Sequence, residues 1–253
     1  MTIPSPIQQA LERAHPSWRP VLESGLRAMA AASPTYLAEL AVDNYLPTEL
    51  RLFAAFEQPL ERVRYVLVGE GPYPRAESAT GVCFMDGAVG SLWSAEAGGG
   101  LSKPVNKATS LRNFMKMLLV ADGQLEASNS AGEALAACAA RARSGAAIQT
   151  LAEMQERLHS HGFLLLNASL VFRPHVAPVK DAKAWLPFFD TVMQALAVQQ
   201  PKLILWGKIA EQLNKLPSVQ ALPQIVAEHP YNLSFIANKE MQALFGPMNL
   251  LKR

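Results

Sequence analysis

Several side chains able to do chemistry sit just past apolar runs of this chain, and their types complement one another. Tyr65-Val66-Leu67-Val68 runs without a polar interruption into Gly69-Glu70-Gly71-Pro72-Tyr73, a tight turn carrying a carboxylate and a phenol. Gly162-Phe163-Leu164-Leu165-Leu166 ends on the amide of Asn167, and Gln224-Ile225-Val226-Ala227 runs straight into Glu228-His229-Pro230. Gly69 and Gly71 let the backbone come close to a bound group, and Pro72 fixes a local bend. With Phe84 from Gly81-Val82-Cys83-Phe84-Met85, these residues describe a pocket for a planar heterocycle. The amide donates and accepts toward an imide edge, the ring stacks on the base face, the imidazole donates, and the phenol stands beside a rigid turn. Each residue alone also fits a plainer role: Asn167 a turn residue, His229 a loop histidine before proline, Tyr73 a surface aromatic, Glu70 a polar turn residue. The combination carries the reading.

Short, continuous apolar runs are the pattern of strands buried on both faces of a parallel sheet. Such strands are predicted at 64–68, 162–167, 202–207 and 224–227, alternating with helical spacing over Thr109–Leu119, Leu151–His159, Ala182–Leu196 and Lys208–Lys215. That alternation predicts an α/β fold, a three-layer αβα sandwich around a central four-stranded parallel sheet. In such a sheet Glu70, Asn167 and His229 arrive at strand C-termini along one edge, where α/β proteins bind ligands. Prolines 4, 6, 16, 20, 34, 47 and 59 cut the first sixty residues into short pieces, with helical spacing at Gln8–Ala14, Val21–Ala32 and Tyr36–Leu40. A further helix is predicted over Leu46–Phe56 with proline near its start. Gly81–Met85 reads as a strand-like segment, Thr109 or Ser110 as the cap of the helix that follows, and Glu133–Arg143 as an exposed helix in an Ala/Ser/Gly-rich stretch.

At 253 residues, 50% hydrophobic, the chain can bury one large core. A single domain over 1–253 is expected, with an N-terminal helical extension at about 1–45. Lysine plus arginine exceed aspartate plus glutamate only by 23 to 21, so any affinity for nucleic acid must come from a local patch. The two cysteines, Cys83 and Cys138, cannot supply four thiolates, so neither a metal nor another cofactor is expected. The N-terminus lacks a basic stretch followed by an apolar core, and no apolar run reaches bilayer length. A reduced, cytoplasmic, monomeric protein with no membrane partner is expected. Gly69-Glu70-Gly71-Pro72 lacks the spacing and following helix of a dinucleotide fingerprint.

From about residue 45 to 250 the chain resembles the uracil-DNA glycosylases, most closely those of family 1. Gly69-Glu70-Gly71-Pro72-Tyr73-Pro74 is similar to the family's Gly-Gln-Asp-Pro-Tyr-His, and Gly81–Met85 to its Gly-Leu-Cys-Phe-Ser. Ser110-Leu111-Arg112-Asn113 is similar to its Ser-Leu-Arg-Asn segment, Leu164–Ala168 to the strand ending in the base-reading asparagine, and Leu205-Trp206-Gly207 to its Leu-Trp-Gly. His229-Pro230-Tyr231-Asn232-Leu233-Ser234 is similar to its His-Pro-Ser-Pro-Leu-Ser. The resemblance implies an enzyme that flips uracil out of DNA and hydrolyses its N-glycosidic bond. By the same resemblance Phe84 stacks on the base, Asn167 reads its edge and Tyr73 excludes a C5 methyl, with Gly69 and Gly71 beside the base. His229 stabilises charge growing on O2, Leu233 fills the vacated stack, and Ser110 and Ser234 hold phosphates. The implied partner is uracil-containing DNA.

Two positions depart from the pattern. The family's water-orienting aspartate is Gly71 here, and the histidine after its tyrosine is Pro74. Related glycosylases with a Gly-Glu-Ala-Pro-Gly motif also lack that aspartate, which points to Glu70 as the group that orients water or balances charge; Glu70 as a polar turn residue is the competing reading. At the level of the whole protein the alternatives are a glycosylase and a glycosylase-fold protein that binds DNA or a pyrimidine without cleaving it. Tyr231-Asn232 in place of Ser-Pro makes the wedge loop bulkier.

Overall fold

The predicted apolar runs form strands: β1 (Tyr65–Gly69), β2 (Phe163–Asn167), β3 (Lys202–Trp206) and β4 (Gln224–Ala227). The computed structural model describes residues 3–145 and 147–253. Its helices are α1 (Ser5–Leu11), α2 (Arg19–Ala32), α3 (Tyr36–Ala41), α4 (Lys103–Lys107), α5 (Thr109–Ala121), α6 (Gly132–Ser144), α7 (Leu151–Ser160), α8 (Pro178–Leu196), α9 (Ile209–Leu213), α10 (Pro217–Gln220) and α11 (Lys239–Phe245). The sheet order is β2-β1-β3-β4, with β1 parallel to both β2 and β3. The four-stranded parallel sheet with flanking helices is the expected α/β sandwich. By contact the chain forms two units, one of Met1–Gly87 with Gly162–Ile225 and one of Ala88–His161 with Val226–Arg253.

In the first unit the pleat sorts the apolar runs by parity. Val66, Val68, Leu164, Leu166, Leu203 and Leu205 share one buried cluster with Leu22, Leu26 and Met29 of α2 and with Trp185, Phe188 and Val192 of α8. Leu67, Leu165 and Ile204, of opposite parity, are buried as well. Burial of both parities is why these runs read as unbroken apolar stretches. The β1–β2 register pairs Gly69 with Asn167, so both strands end level. Beyond β2 the chain is held by Arg173, whose guanidinium bonds Asp181 at 2.6 Å and Asp43 at 3.0 Å, while the Tyr36 hydroxyl donates to Asp181.

In the second unit α5 packs on the short 3-10 turn Leu233–Ala237 and on α11, where Phe114 meets Phe245 edge to face at 5.1 Å. α7 opens with a reciprocal capping box between Thr150 and Glu153.

Three local expectations are corrected. Leu46–Phe56 is helical only as a 3-10 turn over Arg51–Phe56, because a cis Leu46-Pro47 bond and left-handed Glu49 and Leu50 break the run before it. Gly81–Met85 is a turn rather than a strand; Phe84 has φ +68°, a conformation no strand residue adopts. α5 begins at Thr109 after Ala108, with no side-chain cap.

Candidate functional site

Of the residues singled out in the sequence, Gly69, Glu70, Gly71, Tyr73, Phe84 and Asn167 belong to the first unit. Past the strand ends the two chains stay joined: the Ala168 N–H donates to the Gly69 carbonyl at 2.8 Å and the Ser169 N–H to the Glu70 carbonyl at 3.1 Å. The level strand ends and these two bonds fix the backbone that carries Glu70, whose side chain is exposed. Asn167 is only 4% exposed, so its amide is presented from a buried, strand-fixed position. Gly69 is required there. A methyl group at that position would lie 2.6 Å from the Cys83 sulfur and 2.7 Å from Asn167 Oδ1. Gly71 is different: a Cβ would meet Ser169 O at 3.7 Å, ordinary contact, so a side chain fits.

Cys83 forms the floor beside Gly69, its N–H donating to the Leu165 carbonyl at 3.0 Å. Burial pushes its thiol up to about 12, with a backbone hydrogen bond at Gly69 working the other way, so it is a packing group and not a nucleophile. Burial also holds the Tyr73 phenol well above its ordinary value; Cys83 and Asp86 add to this and Arg75 opposes it. Tyr73 is therefore an uncharged wall at neutral pH. Phe84, in its left-handed conformation, meets Trp206 of β3 edge to face at 5.4 Å. Holding a phenylalanine in that conformation costs about 1–3 kcal/mol, the kind of local strain that clusters at functional sites. Arg75 reaches the buried Asp86 at 3.7 Å and so ties the loop after β1 to the turn after Phe84.

Ser110, His229, Leu233 and Ser234 belong to the second unit. Ser110 lies in the first turn of α5 and is half-buried. The loop His229–Ser234 has no proline after Pro230, and one side chain holds its backbone instead. Asn113 of α5, 1% exposed, directs its amide nitrogen to the carbonyls of Pro230 at 2.8 Å and of Tyr231 and Asn232 at 3.3 Å each. The Tyr231 N–H donates to His229 Nδ1 at 3.1 Å. A ring nitrogen that accepts cannot carry a proton, so the neutral imidazole holds its proton on Nε2. Tyr231 and Leu233 are each 68% exposed, and the Ser234 hydroxyl donates to Glu228 at 2.7 Å. Sequence reasoning missed Asn113 as a loop anchor and Glu228 as a partner of Ser234; the charge directly before His229 was the available signal for the second.

Among the described residues no group of three or more His, Cys, Asp or Glu side chains is placed to hold a metal, and no helix is long and apolar enough to cross a membrane.

No family model matches the chain. Curated relatives named uracil-DNA glycosylase do match it, among them the following two. The protein of Nocardioides sp. (strain ATCC BAA-499 / JS614) is 28% identical over 222 residues, covering 87% of this chain and 80% of that one. The protein of Corynebacterium glutamicum is 29% identical over 228 residues, covering 87% and 81%. Among solved structures, the wild-type UNG of Nitratifractor salsuginis matches with a TM-score of 0.90 and 38% identity over 100% of both chains. Mimivirus uracil-DNA glycosylase, 13% identical with a TM-score of 0.55, shares the fold. With 38% identity across the full length of a solved UNG and the family's motifs in order along the chain, the protein belongs to the uracil-DNA glycosylase family.

Proposed function

We propose that the chain hydrolyses the N-glycosidic bond of uracil, or a related deaminated base, flipped out of DNA. The observation that carries this reading is the amide of Asn167, buried at the end of β2 and hemmed by Gly69. A base inside a duplex is inaccessible, so it must be extruded at a cost of about a few kcal/mol, offset by contacts to phosphates and by filling the gap. Leu233, apolar and exposed, fills it, and Ser110 and Ser234 donate to phosphates. Asn167 accepts from N3–H and donates to O4 of uracil; cytosine would set its amino group against the amide N–H. Tyr73 occupies the space of a C5 methyl, and Phe84 stacks on the base.

As the glycosidic bond stretches, negative charge gathers on O2 and positive charge on the sugar. The Nε2–H of His229, oriented by the Tyr231 N–H on the opposite nitrogen, stabilises the first, in the manner of an oxyanion hole. Glu70 balances the second and orients the water that captures the sugar, the role its relatives with Gly-Gln-Asp-Pro-Tyr give to the aspartate absent here. No cofactor enters the scheme.

The test is release of uracil from labelled single- and double-stranded oligonucleotides, read as strand scission after alkali. Turnover on uracil and none on thymine is expected. No release at stoichiometric enzyme would leave a protein that only binds. A finer check of the Asn167 seat is Gly69→Ala. The added methyl displaces either the Cys83 sulfur or the reading amide, and a shift of about 1 Å costs on the order of 10²-fold in kcat/KM. If a crystal structure of the variant shows the amide displaced, an unchanged kcat/KM would show that the amide at 167 does not read the base.

A further inference from the structure

The segment that carries His229 also carries a carboxylate with no part in the scheme above. Glu228 precedes His229, and its Oε2 accepts the hydroxyl proton of Ser234, six residues on, at 2.7 Å. A serine hydroxyl has one proton to give, and a carboxylate and a phosphate diester are both acceptors only. Ser234 therefore cannot serve Glu228 and a DNA phosphate together. We infer that Glu228 is a counter-determinant of DNA affinity: it holds the Ser234 hydroxyl in an occupied state and sets an anion beside the phosphate that must displace it. The inference rests on the reading of Ser234 as a phosphate donor.

The consequence is kinetic as much as thermodynamic. An enzyme that grips the opened backbone through every donor also grips the abasic product, and release then limits turnover. A carboxylate that reclaims the serine proton gives the loop a competing internal partner each time the DNA loosens. Like charges about 4 Å apart in water interact weakly, and the size of the effect is about fivefold in a binding constant. Salt screens this repulsion.

The two contributions separate by substitution. Glu228→Gln removes the charge and keeps an acceptor for Ser234, Glu228→Ala removes both, and Ser234→Ala removes the donor. Each is compared with the parent chain, after its melting temperature is checked, for equilibrium binding by fluorescence anisotropy to a duplex bearing a tetrahydrofuran abasic analogue at 50 and 200 mM salt. Glu228→Gln and Glu228→Ala are expected to bind about fivefold tighter at the lower salt, with the gain shrinking at the higher. A tighter complex is an outcome that structural damage does not produce. Ser234→Ala is expected to weaken binding, and in that background Glu228→Ala recovers less than it gains alone. If Ser234→Ala weakens binding while both Glu228 variants match the parent, the counter-determinant is overturned and the phosphate role of Ser234 stands. If Ser234→Ala leaves binding unchanged, the phosphate role itself falls and the inference falls with it.

Discussion

A Glu70→Gln protein is expected to release uracil about 10²- to 10⁴-fold more slowly than the parent in single-turnover assays, the range that a positioned general base contributes. The expectation follows from what surrounds that carboxylate. Its backbone is pinned by the Ser169 N–H and the strand pairing beside it, yet its side chain is exposed, so it sits on a fixed base with room to meet water. The neighbouring Gly71 supplies a second arm. Because a Cβ there makes only ordinary contact with Ser169, Asp can be installed without displacing backbone. In the Glu70→Gln background, Gly71→Asp is expected to recover most of the lost rate, since one carboxylate then stands where the relatives keep theirs. Base binding, read by uracil inhibition, is expected to stay level across the series. Parent-like rates for Glu70→Gln would remove Glu70 from the chemistry and leave it a turn residue.

His229→Ala is the second large effect, expected to lower the single-turnover rate by about 10²- to 10³-fold, the value of one donor aimed at a developing oxyanion. The reason lies in which nitrogen is engaged. With Nδ1 accepting from the Tyr231 N–H, the Nε2 proton is fixed without a charged ring, and a neutral donor strengthens as charge develops on its acceptor. The loss is expected in kcat with little change in the affinity for DNA, because the interaction grows only as the bond breaks. A variant that kept kcat and lost only affinity would reassign His229 to binding.

Much of this was legible in the sequence. Unbroken apolar runs gave β1 to β3 because both faces of each strand are buried, while β4 was found from the same kind of run although it is only half-buried, with Val226 48% exposed. The residue types at the strand ends named the chemistry before any coordinates. What the sequence withheld was local. Leu46–Phe56 has helical spacing, and only the cis bond before Pro47 together with two left-handed residues reveals that it cannot start as a helix there. Gly81–Met85 is as apolar as a strand, yet Phe84 lies in the left-handed region with its ring edge to face against Trp206, a tertiary contact that outweighs propensity. Asn113 was invisible for another reason, and Glu228 showed only as a charge before His229: their roles are contacts to residues over a hundred positions away or six positions on, and residue type alone does not announce a hydrogen-bond partner.

The anchoring of the wedge loop by Asn113 changes what the loop can tolerate. Where relatives stiffen this segment through a proline ring, a restraint each residue carries for itself, here the stiffness is lent by a helix, through a single amide gathering three consecutive carbonyls. A borrowed restraint is shared: the order of the tip, and with it the aim of the imidazole, lasts as long as the opening turns of α5 do. Variation at Tyr231 and Asn232 is thereby relieved of any structural duty, so the tip is open to retailoring toward new DNA contexts while the histidine keeps its place.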